Sequence, residues 1–595
     1  MRNMKFPYGV SDFQKIIEEH YFYVDRTDRI PLIEGAGDQL FFLRPRRLGK
    51  SLLVSMLENY YDVAKAERFE SLFGHLAIGK NPTALHNKYL ILKWDFSAIA
   101  PQGNTEQIRR ALYNYINQSI KELTAYYKKL LTDEPDINPD DAQASFLSLL
   151  ALIRLSPYKL YLLIDEYDNF ANEIMMGGQP DSKDRYKALL YGEGLIKSLF
   201  KLIKSSAAGG GLDRVFFTGV SPIVLADITS GYNIAEDISS DKEFSDLCGF
   251  RDSETADTLD QIASECDYSH EETEEALTMV RTFYDGYCFS YHTDTRVYNP
   301  TLAIYFFKKF QKYCEYPLNM LDSNLSTDRN KLRYISRIPY GDELIIQTLT
   351  VGTVSVPLLS NSFGIEDMLT MNKDTIFMAS LLYYFGVLTL GQKNMLNEFM
   401  LHIPNLVVRK LYAEEIKNMF FPDISIREDS TRAAQALYLN GQIQPLCDFI
   451  ESRYFKVYDN RDYRWANELT VKTAFLTLLF NDIHYIMDSE TALEKKYADL
   501  TMILRPDARQ SQLLDILIEF KFVSLSDAGL TAEKAQSLSI EELKAIPLVK
   551  EKLSQSRTQL ADYREILEKK YGESLRLHCY GVASVGFERL VWEEV

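Results

Sequence analysis

No two cysteines stand at CxxC spacing and no two histidines at HxxxH or HxH, so Cys248, Cys266, Cys288, Cys314, Cys447 and Cys579 indicate neither a disulfide framework nor structural zinc. No uncharged run reaches the roughly 18 residues a membrane helix needs. The opening "MRNMKFPYGVSDFQ" has no apolar core followed by a small-residue cleavage site. The expectation is a cytoplasmic protein without a membrane partner. Positive charge is also short. A net charge of −18 opposes coating of nucleic acid through the overall field, which depends on phosphate neutralisation by Lys and Arg. Any nucleic-acid contact is expected to be local, with bound Mg²⁺ offsetting carboxylate charge. Finally, no Pro-rich, Ser-rich or repetitive stretch suggests a disordered arm or a solenoid.

What is present is an ordinary globular balance, 46% hydrophobic and 12% aromatic, in 595 residues. Single cores stop growing near ~250 to 300 residues, so two to four domains are expected. Four short apolar runs appear early: "QLFFL", "YLILKWDFS", "KLYLLIDEYD" and "RVFFTGVSP". They are continuous rather than alternating, as in strands covered on both faces, and helix-like stretches separate them, which predicts a parallel α/β sheet. "AAGGGLD" reads as a flexible entry into the fourth run. The pattern then turns helical, with one β-rich interruption at "LTVGTVSVPLL". From about residue 448 a helix, "WANELTVKTAFLTLLF", precedes two strands, "YADLTMIL" and "LLDILIEFKFV", a long helix around "QSRTQLADYREILEKKY" and a final strand, "LRLHCYGVASVGF". The expected organisation is an α/β multidomain chain: a parallel-sheet core over 1–225, a helical lid over 226–300, a mainly helical connector over 301–447 and a second α/β domain over 448–595.

"FFLRPRRLGKSLLVSML" carries the first candidate site. A phosphate loop reads G-x-x-x-x-G-K-[ST] between strand and helix, because backbone N–H groups and the helix N-terminus surround phosphates while the lysine reaches the β- and γ-phosphates. Gly49, Lys50 and Ser51 match, but Arg44 stands where the first glycine belongs. Arg44 fits if that turn takes negative φ, and Pro45 restricts it to extended conformations. "LLIDEYD" places Asp165 and Glu166 at the end of a buried strand, where a Mg²⁺-binding acid and a water-activating acid are expected. Ser51 and Asp165 are the expected metal contacts. Thr218, ending "RVFFT", is either a γ-phosphate sensor or a satisfied strand-end threonine.

With "YFYVDRTDRIPLI", "WDFS", "FTGVSP", "LCGF" and "YDGYCFS...VYNP", these stretches resemble a bacterial AAA-ATPase-like family whose members commonly carry a C-terminal PD-(D/E)XK nuclease domain. The family's loop resembles R-P-R-R-F-G-K-S, so Arg44 departs from the general P-loop and not from the family form. The resemblance implies ATP binding through Lys50, Ser51, Asp165 and Glu166, and a restriction-endonuclease-like fold for the last domain.

In "KYADLTMILRPDARQSQLLDILIEFKFV" the strands can pair across "RPDARQSQ". If Leu504 faces Leu513 or Leu514, Asp499 falls opposite Ile518 or Glu519, while period-2 alternation puts Glu519 and Lys521 on one face. Asp499, Glu519 and Lys521 then form D...E-x-K: two carboxylates hold Mg²⁺, and the ammonium positions water and stabilises phosphorane charge. Glu468 lies on the apolar face of its helix with Val471 and Phe475, explained by the metal site or by a salt bridge or helix N-terminal interaction. Gln559 and Tyr563, at i and i+4, resemble a supporting pair of some PD-(D/E)XK nucleases, and Glu490 resembles the family pattern. The leading expectation is an ATP-regulated, Mg²⁺-dependent nuclease acting on DNA. Its rivals are an ATP-dependent switch whose last domain only binds nucleic acid or protein, and a DNA-translocating motor. A homo-oligomer or a regulatory protein partner stays open, and no arginine finger is singled out.

Overall fold

The computed structural model describes residues 4–99, 104–169, 195–223, 235–321, 327–363, 374–459, 467–488, 491–493 and 496–595. The chain divides into two compact units, Met1–Lys312 with Ser355–Pro404, and Tyr313–Val354 with Asn405–Val595. The stretch expected to form one connector over 301–447 is therefore shared between both units.

In the first unit the four apolar runs become strands β1 (Gln39–Leu43), β2 (Tyr89–Asp95), β3 (Lys159–Asp165) and β4 (Leu212–Gly219). A two-residue strand, β5 (Glu236–Asp237), completes a sheet in the order β2-β3-β4-β1-β5. Every pairing is parallel. Crossover helices such as Thr105–Tyr126 and Ala142–Arg154 cover the sheet, so the strands are buried almost throughout. Helix α1 (Lys50–Tyr61) follows β1 directly, and Gly49 caps it in the left-handed region at φ 102°. A ligand at the carboxyl ends of β1 and β3 thus sits in the crevice open α/β sheets use for phosphates.

The segment 374–404 belongs to this unit. It contributes helix Thr375–Tyr384 and a hairpin of Thr389–Lys393 and Phe399–His402 that hydropathy had not separated from the surrounding helices. Thr389 Oγ1 accepts from the Cys288 backbone N–H at 2.7 Å, and Tyr383 donates to the Phe289 carbonyl at 3.4 Å.

The second unit carries a mixed sheet. We number its strands β6 (Tyr485–Asp488), β7 (Leu500–Leu504), β8 (Asp515–Val523), β9 (Leu577–Val585) and β10 (Arg589–Glu594). Neighbours run in the order β10-β9-β8-β7-β6, with only β8 and β9 parallel. Helix α2 (Glu468–Leu479) packs on the sheet through Phe475 against Phe520, ring centroids 4.9 Å apart. The long helix α3 (Pro547–Tyr571) supplies the crossover that parallel β8 and β9 require. Cys248, Cys288, Cys447 and Cys579 are free and buried. Among the described residues no helix is long and apolar enough to cross a membrane.

Candidate functional site

Two constellations stand out, one in each unit. In the first, Lys50 opens α1 only 3% exposed, and its ammonium donates to the Arg44 and Pro45 carbonyls at 3.1 and 3.3 Å and pairs with Glu166 at 3.4 Å. Asp165, at the end of β3, accepts from the Thr218 hydroxyl and from the backbone N–H of Glu166 at 3.0 Å. Burial pushes the Asp165 carboxyl up, and hydrogen bonds from Thr218 and Ser51 pull it back. Lys50, Ser51, Asp165, Glu166 and Thr218 are thus brought together. Ser51 and Asp165 share a hydrogen bond, and a hydroxyl beside a carboxylate is the donor set that would hold a Mg²⁺ ion.

Glu166 takes φ +52°, a conformation costing about 1 to 3 kcal/mol for a non-glycine residue and one that clusters at functional sites. The turn after it is held by Asp168, which is fully buried and accepts from the N–H groups of Val220 and Ser221 at 3.0 and 2.8 Å. The close approach of this turn to β4 demands Gly219, since a Cβ there would stand 2.5 Å from the Tyr167 ring.

Arg44 is not part of the phosphate cradle. It is 1% exposed, stacked between the Phe42 and Phe289 rings, and donates to the carbonyls of Leu43 and Ser239, both at 2.7 Å, and of Phe244 at 2.8 Å. Its burial pushes the guanidinium down. The left-handed positions of the loop fall at Arg47 (φ 66°) and Gly49, so position 44 needs no glycine. Arg46 donates to Asn169 Oδ1 at 3.2 Å, and Arg47 accepts at its carbonyl from Thr301 at 3.1 Å.

A cavity of about 350 Å³ adjoins the loop, with Gly49, Lys50 and Ser51 on one side and Phe22, Phe250 and Ile304 on another. Arg26 holds part of its wall: it donates to the Asp246 and Gly249 carbonyls at 2.8 and 3.1 Å and bridges both Glu254 oxygens at 2.6 and 2.7 Å. Motif spacing gave no reason to choose these residues. "YFYVDR" and "LCGF" were visible only as parts of the resemblance.

In the second unit, β7 and β8 pair with Leu500 opposite Ile518 and Met502 opposite Ile516, which puts Asp499 opposite Glu519. Asp515, fully buried, fixes the far end of this hairpin by accepting from the Leu504 N–H at 2.8 Å and from Arg509 at 2.6 Å. Asp499 accepts from the Phe520 N–H at 2.9 Å and donates its own N–H to Glu519 at 3.4 Å. Lys521 donates to Glu519 Oε1 and to the Phe520 carbonyl, both at 2.9 Å. Burial first, then the Asp499 charge, push Glu519 up to about 7, with Lys521 opposing them.

Glu468 is half-buried at the start of α2, and burial pushes its carboxyl up while Lys521 pulls it down and Asp499 pushes it up. Tyr563 is 2% exposed, bonded to Gln559, and feels both Glu519 and Asp499; burial leads in pushing it up to about 12. Sequence reading missed Lys472, 2% exposed on α2 with its ammonium 3.9 Å from Asp499 Oδ1. One turn beyond Glu468, it was detectable as a lysine on an otherwise apolar face. Glu490 lies outside the described residues. Among the described residues no three His, Cys, Asp or Glu side chains converge into a closed metal cage. Two carboxylates side by side still fit Mg²⁺, which binds through one or two carboxylates and completes its shell with water and substrate phosphate.

Residues 7–229 match the family described as predicted AAA-ATPase. The AAA-ATPase-like domain so delimited contains Gly49, Lys50, Ser51, Asp165, Glu166 and Thr218. A relative in Azotobacter chroococcum mcd 1, described as an uncharacterized protein in the vnfD 5' region, is 25% identical over 556 residues, 89% of this chain and 91% of its own length. Among solved structures, the ORC1 protein of Aeropyrum pernix in complex with DNA is 8% identical at a TM-score of 0.22, over 69% of this chain and 93% of its own. The ORC2 protein of the same organism, in ADPNP–ADP complexes, is 12% identical at 0.31, over 68% and 97%. The P-loop fold rests instead on the parallel sheet and the loop after β1.

Proposed function

We propose that the protein is an ATP-regulated, Mg²⁺-dependent nuclease: the AAA-ATPase-like domain binds and hydrolyses ATP, and its nucleotide state controls phosphodiester hydrolysis of DNA in the last domain. The observation that carries the nuclease half is the convergence of Asp499, Glu519 and Lys521 on adjacent strands, with Gln559 and Tyr563 beside them. In the ATPase half, Lys50 binds phosphate charge, Ser51 and Asp165 would hold Mg²⁺, Glu166 takes a proton from the attacking water and Thr218 orients Asp165. In the nuclease half, Asp499 and Glu519 hold Mg²⁺, which when bound supplies charge neutralisation at the scissile phosphate. Lys521 orients water and meets developing negative charge. A buried Glu519 and a partly exposed Asp499, set against lysines, suit a substrate that carries phosphate charge.

The second reading, an ATP-dependent switch with an inactive binding domain, draws support from the lack of a three-ligand cage among the described residues. Cleavage of DNA and RNA with Mg²⁺, with and without ATP, tests the coupled reading. Intact protein responds to ATP, and Lys50→Ala cleaves at an ATP-independent rate. Cleavage by intact protein that is indifferent to nucleotide refutes the coupling.

A further inference from the structure

Asp499 and Glu519 do not face each other alone. Lys521 contacts Glu519 at 2.9 Å, and Lys472 stands 3.9 Å from Asp499 Oδ1. The two ammonium groups reach the carboxylates from different elements, Lys521 along β8 and Lys472 from α2. Lys472 is the more deeply buried, its side chain 2% exposed against 11% for Lys521. An ammonium so far from water is costly without nearby negative charge, and Asp499 provides it. Glu468, one helical turn before Lys472, feels Lys521, Asp499, Lys552 and Lys472, so all these charges form one field.

Lys521 belongs to the D...E-x-K pattern, whereas Lys472 belongs to none. Its position is explained if the carboxylate pair needs a cation at all times. We propose that Lys472 is a resident counter-ion for Asp499, holding that carboxylate in place until a divalent cation takes over its charge, and so setting the affinity of the site for metal. This rests on the metal-site reading above and adds a positioning residue to it. The arrangement has a directional consequence. A positive charge beside a cation site weakens cation binding through Coulomb repulsion, so its removal tightens binding. The same removal takes from Asp499 its neighbouring ammonium in the metal-free site, while Glu519 keeps Lys521, and lowers stability. A lysine serving only to pack α2 against the sheet would lower stability without tightening metal binding.

The test is a calorimetric titration of the full-length chain with Mn²⁺, free of nucleic acid and nucleotide, comparing intact protein, Lys472→Met and Lys472→Arg. Asp499→Asn identifies the heat belonging to this site. The expected result is about tenfold tighter Mn²⁺ binding in Lys472→Met, near-normal affinity in Lys472→Arg, and a larger Mn²⁺-induced rise in melting temperature for the methionine variant. Lys472→Gln gives the same direction should the apolar variant not fold. Unchanged or weaker Mn²⁺ binding in both neutral variants overturns the inference while leaving the metal site standing. Absence of any Asp499-dependent heat in intact protein overturns both.

Discussion

Replacing Arg44 by glycine would restore the general phosphate-loop pattern, and the structure predicts that this damages the protein. Arg44 donates three hydrogen bonds to the carbonyls of Leu43, Ser239 and Phe244 and stacks between two aromatic rings. Hydrogen bonds from a charged group contribute about 1.5 to 3 kcal/mol each, and buried cation–π contacts about 1 to 2 kcal/mol. Against this stands the desolvation of a guanidinium that forms no ion pair among the described residues, several kcal/mol after relaxation. Arg44→Gly also leaves the three carbonyls without their donor and opens a void between Phe42 and Phe289. The net expectation is a loss of about 3 kcal/mol, since both the orphaned carbonyls and the void act in one direction. Thermal unfolding of full-length protein reads this as a fall of several degrees in the first transition, and a nucleotide titration reads it as weakened binding, because Arg44 and Pro45 carry the carbonyls that hold Lys50. An Arg44→Gly variant as stable as intact protein, or one binding ATP more tightly, would refute the assignment of Arg44 as a structural strut.

Other outcomes follow from the same geometry. Lys50→Ala is expected to lose ATP binding by at least about tenfold, read by fluorescent-nucleotide titration, whereas Glu166→Gln keeps binding and loses at least about 100-fold in turnover, read by phosphate release. Gly219→Ala places a Cβ 2.6 Å from Asp168 Oδ1, and should cost about 1 to 3 kcal/mol and reduce turnover by disturbing the turn after Glu166. Glu519, at about 7 when folded against an ordinary 4.5, binds its proton more tightly in the folded state. Its contribution to stability is full below about pH 4.5 and is lost as pH rises through 7, roughly 3 kcal/mol in all. With chelator present, intact protein should therefore lose that much more stability than Glu519→Gln between pH 4 and about 8, and parallel denaturation profiles would show that Glu519 is not held this way.

The parts of the fold written in local pattern were legible. β1 begins and ends where "QLFFL" does, and β2 to β4 lie within three residues of their apolar runs, because strands buried on both faces leave a continuous hydrophobic signature. The hairpin register was narrowed to two choices by turn length, and the buried Asp515 with its ties to Leu504 and Arg509 selects the one that pairs Asp499 with Glu519. What stayed hidden depends on distant residues. β5 is two residues long, and its acidic Glu236 and Asp237 carry no hydropathy signal. The hairpin of 389–393 and 399–402 joins the first unit through single contacts such as Cys288 to Thr389. Arg44 looked like an anomaly in the phosphate loop because nothing nearby in sequence announces that Ser239 and Phe244 need a donor. Lys472 carries no motif, and the Asp499 carboxylate it approaches lies 27 residues further along the chain.

A metal-dependent nuclease in the last domain is tested most directly by Mg²⁺-dependent cleavage of end-labelled DNA by the intact chain beside Asp499→Asn and Lys521→Ala. The expected result is cleavage by intact protein that stops on chelation and falls at least about 100-fold in both variants. No cleavage by intact protein in any nucleotide state, or residual cleavage equal in the variants, would contradict it.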